Sequence, residues 1–113
     1  MNRDIEALKK AHKIIEEFRK LDENMPIQQA AVFLTIAMHD DLSQKEVAEM
    51  AGLGQGSTSR NVSAFLKLNR FKKPGFDLIE NKPDPSELRV KRHRLNKKGE
   101  RIAQTIADIM GDF

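Results

Sequence analysis

Eleven residues, Ser43 to Leu53, constrain the fold of this 113-residue chain more than any other stretch. Ser43 stands three residues before Glu46, the spacing at which a hydroxyl and a carboxylate cap a helix start reciprocally. Val47, Ala48, Met50 and Ala51 continue that helix, and Gly52 arrives where a left-handed residue is needed to turn the chain. Ala48 is small where two helices cross closely, and Leu53 is placed to plug their interface from the turn. The next residues, Gln55-Gly56-Ser57-Thr58-Ser59-Arg60-Asn61, are short and polar at the start of another helix. The pattern is a helix-turn-helix, and the rest of the chain is read around it.

Upstream, Ile5, Leu8, Ala11, Ile14, Ile15, Phe18 and Leu21 recur every three or four residues, which predicts an amphipathic helix over about 4–23. Pro26 opens a second helix with a wide apolar face that ends near His39. Downstream, the helix begun at Gln55 or Ser57 is expected to run to Arg70, where Lys72-Lys73-Pro74-Gly75 stops it. Residues 76–81 and 88–95 have strand character, and the two prolines of 82–87 mark the tip of a hairpin. Asn96 caps a last helix over about 97–110, carrying Ile102, Ala103, Ile106, Ala107, Ile109 and Met110. The expected fold class is mainly α with a small β-hairpin, in the order of a winged helix-turn-helix.

At 113 residues, 39% of them hydrophobic and 33% charged, the chain has the size and composition of one globular domain spanning 1–113. The net charge of +3 conceals a division along the chain. Residues 1–56 hold seven basic and ten acidic residues, 57–98 hold twelve and four, and 99–113 hold one and three. One segment with an excess of +8 is the footprint expected of a surface that meets a polyanion. The lack of Cys excludes disulfides and thiolate chemistry and fits a reducing cytosol. With no apolar run near the roughly 20 residues needed to cross a bilayer and no signal-peptide pattern, the expectation is a cytoplasmic protein with no membrane partner. His12, His39 and His93 fall on different elements, so no metal and no cofactor is expected. Gly52-Leu53-Gly54-Gln55-Gly56 lacks the strand and the Gly-Lys-Ser/Thr of a phosphate loop, and no nucleophile sits beside a base, so an enzyme is not expected.

The chain resembles the MarR family of transcriptional regulators over roughly residues 30–105. The resemblance is carried by Leu42-Ser43-Gln44-Lys45-Glu46-Val47-Ala48, by Ser59-Arg60, by Gly75 to Glu80, and by Asp84-Pro85-Ser86-Glu87-Leu88-Arg89. Leu95-Asn96-Lys97-Lys98-Gly99 is similar to that family's Leu-Thr-x-x-Gly, and Arg89 stands six residues before Leu95 as its wing arginine would. An extra stretch, Lys67 to Pro74, separates the recognition helix from the wing. The chain also lacks the long C-terminal extension usual in the family, and its shortness speaks against the small aromatic anions that members often bind as effectors.

The resemblance implies a homodimer, and the apolar faces of helix 1 and the last helix independently suggest that these are the dimerisation elements. The motif and the charge footprint together point to double-stranded DNA at a palindromic site, with repression by covering a promoter. Expected DNA contacts on the recognition helix and just beyond it are Gln55, Ser57, Thr58, Ser59, Arg60, Asn61, Ser63 and Lys67. On the wing they are Lys82, Arg89, Lys91, Arg92 and Arg94, because alternation makes both faces of the hairpin basic. Two other readings use the same scaffold: a protein-interaction module such as an anti-repressor or assembly factor, and a replication or recombination accessory protein.

Overall fold

A computed structural model describes residues 3–111. In chain order the elements are α1 (Ile5–Arg19), α2 (Ile27–Ala37), β1 (Leu42–Ser43), α3 (Gln44–Ala51), α4 (Gln55–Ala64), β2 (Ile79–Pro83), β3 (Lys91–Leu95) and α5 (Lys97–Gly111). The helix starts follow the side chains that the sequence offers. Asp4 accepts from the Ala7 amide, Asn96 from the Gly99 amide, and Ser43 with Glu46 forms the complete capping box. Gly52 takes the left-handed conformation at φ 70° that closes α3.

The core is held together by a run of phenylalanines. Phe18 meets Phe33 edge-on at 5.8 Å between ring centroids, Phe33 meets Phe65 at 5.5 Å, and Phe65 meets Phe76 at 5.6 Å. Around it lie Val32, Ile36, Val47, Val62, Leu78 and Ile79, all buried. Each of α1, α2, α3 and α4, together with the entry to β2, therefore contributes to one apolar centre, which fixes how the helix-turn-helix sits on the rest of the chain.

Three features depart from the sequence expectations. First, α4 ends at Ala64 instead of Arg70, because its last carbonyls are claimed by the returning chain. The Phe76 amide donates to the Ala64 carbonyl, and the Leu78 and Ile79 amides both donate to that of Phe65. Gly75 makes the return possible: a Cβ there would stand 2.1 Å from the Leu66 oxygen. Second, the sheet has three strands in the order β1-β3-β2, since Leu42 and Ser43 pair with His93 and Arg92. Third, the hairpin pairs as far as Pro83 opposite Lys91, so the tip spans 84–90 and Arg89 lies in a turn. Pro83 is tolerated because β2 is an edge strand.

Candidate nucleic-acid interface

Helix α4 divides its polar residues between two faces. Gln55, Gly56, Ser59 and Arg60 are exposed near its start, and Ser57 is half-buried with its hydroxyl donating to Gln28 Oε1 at 3.3 Å. Arg60 folds back along the helix, its Nη1 lying 3.4 Å from where a Cβ on Gly56 would stand. Gly54 precedes the helix without a side-chain cap, so the first-turn amides have no capping oxygen.

The other face points inward and corrects three expected contacts. Thr58 is fully buried, and its hydroxyl donates to the Gly54 carbonyl at 2.9 Å. Asn61 is buried, with Nδ2 donating to the Ser57 carbonyl at 3.0 Å. Ser63 is buried and its hydroxyl accepts from the Arg70 amide at 2.6 Å. These polar groups hold the ends of α4 in shape and present nothing to an outside partner.

The wing is likewise less uniform than alternation implied. Lys82, Arg89 and Lys91 are exposed. Arg92 is drawn into the protein, where its guanidinium reaches three carboxylates: Asp41 at 2.9 Å, Asp84 at 3.2 Å and Glu46 at 3.7 Å. These belong to the turn before β1, the wing tip and the first turn of α3, so one side chain ties the wing to the helix-turn-helix. Arg94 pairs with Glu80 across the strands. Arg92 is thereby committed to carboxylates of this chain, a correction to its expected outward contact, whereas Arg94, though paired with Glu80, stays exposed on the wing. The wing tip is built on Asp84, which accepts from both the Ser86 hydroxyl and amide and from Arg92; this holds its carboxyl at about 2.

His93, between these two arginines, is buried on the opposite face of β3. Its Nε2 lies 3.3 Å from Gln44 Oε1, and among the described residues Nδ1 has no hydrogen-bond partner. Burial, reinforced by Lys91, lowers its pKa to about 4, so the ring is neutral at ordinary pH. The hairpin thus has one packed face, not two basic ones.

Beyond α4, Lys67 is exposed, as are Arg70, Lys72 and Lys73, which were not among the expected contacts. Their signal lies in the charge footprint of 57–98, although Lys72 and Lys73 also read as the stop of a helix and Arg70 as its end. Elsewhere, an open groove of about 1180 Å³ lies between the end of α2, β3 and α5, lined by Ala37, His39, Arg94 and Ala107 among others. Among the described residues no group of three His, Cys, Asp or Glu is placed to hold a metal, and no helix is long and apolar enough to cross a membrane.

No protein-family model and no curated protein matches the chain. Solved structures do. The MepR–DNA complex of S. aureus superposes with a TM-score of 0.70 at 17% identity, over 92% of this chain and 75% of that one. An E. coli MarR variant in complex with operator DNA gives 0.67 at 18%, over 96% and 70%. The PcaV transcriptional regulator of Streptomyces coelicolor gives 0.64 at 20%, over 94% and 73%. At these identities the likeness is one of fold: five helices and a small antiparallel sheet arranged as in the MarR-type winged helix.

Proposed function

We propose that this MarR-type winged helix is a double-stranded-DNA-binding transcriptional regulator that works as a homodimer in the cytoplasm and represses by occupying a promoter. The observation that carries the reading is the exposed start of α4. Gln55, Ser59 and Arg60 project there beside first-turn amides that no side chain caps, a combination suited to base edges and a phosphate. Ser57 at the edge of this face and Lys67 beyond the helix extend the contact. Lys82, Arg89 and Lys91 on the wing then reach the minor groove or its phosphates. Two of the structures sharing the fold were solved with DNA bound, which supports the same use of the scaffold here.

The dimer uses α1 and α5. They pack together, yet Ile5, Leu8 and Ile15 on α1 and Met110 on α5 stay about half exposed, an apolar surface that a second copy would cover. Two copies related by a two-fold axis read half-sites about 34 Å apart, which requires a palindrome.

Selection of bound duplexes from random DNA tests the reading. The expected result is one palindromic sequence, for which Arg60→Ala loses about 1–3 kcal/mol of affinity in a gel-shift titration. Failure to enrich any duplex overturns it. Light scattering is expected to show a dimer, and a monomer at tens of micromolar, an order-of-magnitude concentration, removes the palindrome.

A further inference from the structure

The loop between α4 and β2, residues 67–74, is a built protrusion and not a slack connection. Asn69 organises it: its Oδ1 accepts from the Phe71 and Lys73 amides, its amide donates to the Lys73 carbonyl, and its carbonyl accepts from the Lys72 amide. Lys72 is held at φ 59°, a left-handed backbone that a residue with a Cβ adopts only when its surroundings impose it. Leu68 bridges to Pro74 across the base, and Gly75 seats against the Ala64 and Leu66 carbonyls.

What the loop displays is positive charge. Lys67, Arg70, Lys72 and Lys73 are all exposed, and from Phe65 to Phe76 the chain has no acidic residue. Among the described residues none of the four cations is in an ion pair, whereas Arg92 and Arg94 on the wing are both paired. The Arg70 guanidinium lies over the exposed Phe71 ring at 4.7 Å, an arrangement that stiffens the side chain without neutralising it. Four unpaired cations held on an ordered turn form a ready surface for a regularly spaced polyanion.

We propose that the whole 67–74 loop, beyond Lys67 alone, is a third DNA-binding element besides α4 and the wing, which grips the phosphodiester backbone beside the groove that α4 occupies. This inference rests on the proposed DNA-binding function. Its geometry follows from the attachment of the loop. It leaves directly from the C-terminal end of α4, a ten-residue helix about 15 Å long, so it is carried by the same rigid body as Arg60. A helix lying in a major groove about 12 Å wide brings whatever projects from its end against a backbone wall. Lysine and arginine there add affinity without reading sequence.

The test uses the full chain, a combined variant Lys67→Ala, Lys72→Ala, Lys73→Ala, and a combined variant in which the same three lysines become arginine. Binding to labelled random and selected duplexes is followed from about 50 to 200 mM NaCl. Each phosphate contact contributes about 0.9 to the slope of log affinity against log salt, so the alanine variant is expected to lose about 2–3 from that slope. Its affinity should fall at least tenfold for every duplex, an order-of-magnitude expectation from that slope, with the ranking of sequences unchanged and the arginine variant near wild type. A wild-type chain that binds duplex while the alanine variant keeps the same slope and affinity overturns this inference alone. A wild-type chain that binds no duplex overturns the DNA-binding function and this inference with it. An alanine variant that binds duplex normally but loses affinity for poly-glutamate reassigns the loop to an acidic protein surface and overturns the proposal.

Discussion

The wing and the 67–74 loop are both basic protrusions on the same core, and they treat their charges in opposite ways. On the wing, Arg92 and the exposed Arg94 are paired with Asp41, Asp84, Glu46 and Glu80, and among the described residues Lys82, Arg89 and Lys91 are exposed without an ion pair. On the loop, every cation is exposed and no acidic residue lies between Phe65 and Phe76. A charge counted in the sequence is therefore not always a charge available to a partner. Part of the +8 excess holds the wing to the helix-turn-helix, and the part on the loop has no such internal task.

The largest expected effects strike the attachments of the two protrusions. A Cβ on Gly75, at the base of the loop, would stand 2.1 Å from the Leu66 oxygen; one on Gly99, beneath the wing, would stand 2.1 Å from the Leu78 oxygen. Backbone carbonyls cannot swing aside as a flexible side chain can, so Gly75→Ala and Gly99→Ala should each cost about 3 kcal/mol in urea denaturation. If only one of them destabilises, the two protrusions are not equally built in.

The next effect belongs to the wing alone and is read from pH. His93 has a folded pKa of about 4 against an unfolded 6.5, so between these values the unfolded chain binds more protons. Stability should therefore be full above about pH 6.5 and decline as pH falls towards 4, by about 2–3 kcal/mol. His93→Gln should flatten this window. From about pH 4.5 downward the depressed Glu46 carboxyl, and below about pH 4 that of Asp84, add their own loss. Thermal or urea midpoints measured from pH 4 to 7 check the sign; a wild-type curve that is flat there contradicts a buried neutral imidazole.

Smaller effects separate paired from unpaired wing cations. Lys82→Ala and Lys91→Ala should each remove about 1 from the salt slope of DNA binding and weaken all sequences alike. Arg92→Ala should act chiefly on the folded state, lowering the thermal midpoint slightly and more at low salt than at high, because three carboxylates lose their common partner. Should Arg92→Ala instead behave like Lys82→Ala, with a reduced slope and an unchanged midpoint, the contrast between wing and loop would lose its basis.

Much of the scaffold was legible because its signals are local. Ser43 with Glu46, Gly52 and Asn96 each act on neighbours a few residues away, and each does in the structure what its spacing predicts. The end of α4 was not legible, since Ala64 is as good a place to continue a helix as to stop one. The stop comes from the Phe76, Leu78 and Ile79 amides arriving from later in the chain. β1 escaped for a similar reason: two residues show no periodicity, and they form a strand only because β3 is beside them. In the candidate site, Ser59 and Arg60 could be separated from Thr58 and Asn61 only once the burial of each face was known.

The order of the helices, the capped turn between two of them, the hairpin and the concentration of positive charge between residues 57 and 98 are all written locally in the chain. Those follow from periodicity, capping and composition, which operate over a few residues or over simple sums. Which of those charges are taken up by partners within the chain depends on long-range packing. Arg92 meets Asp41 across 51 positions of chain, and an ion pair of that reach exists only after β3 has docked beside β1.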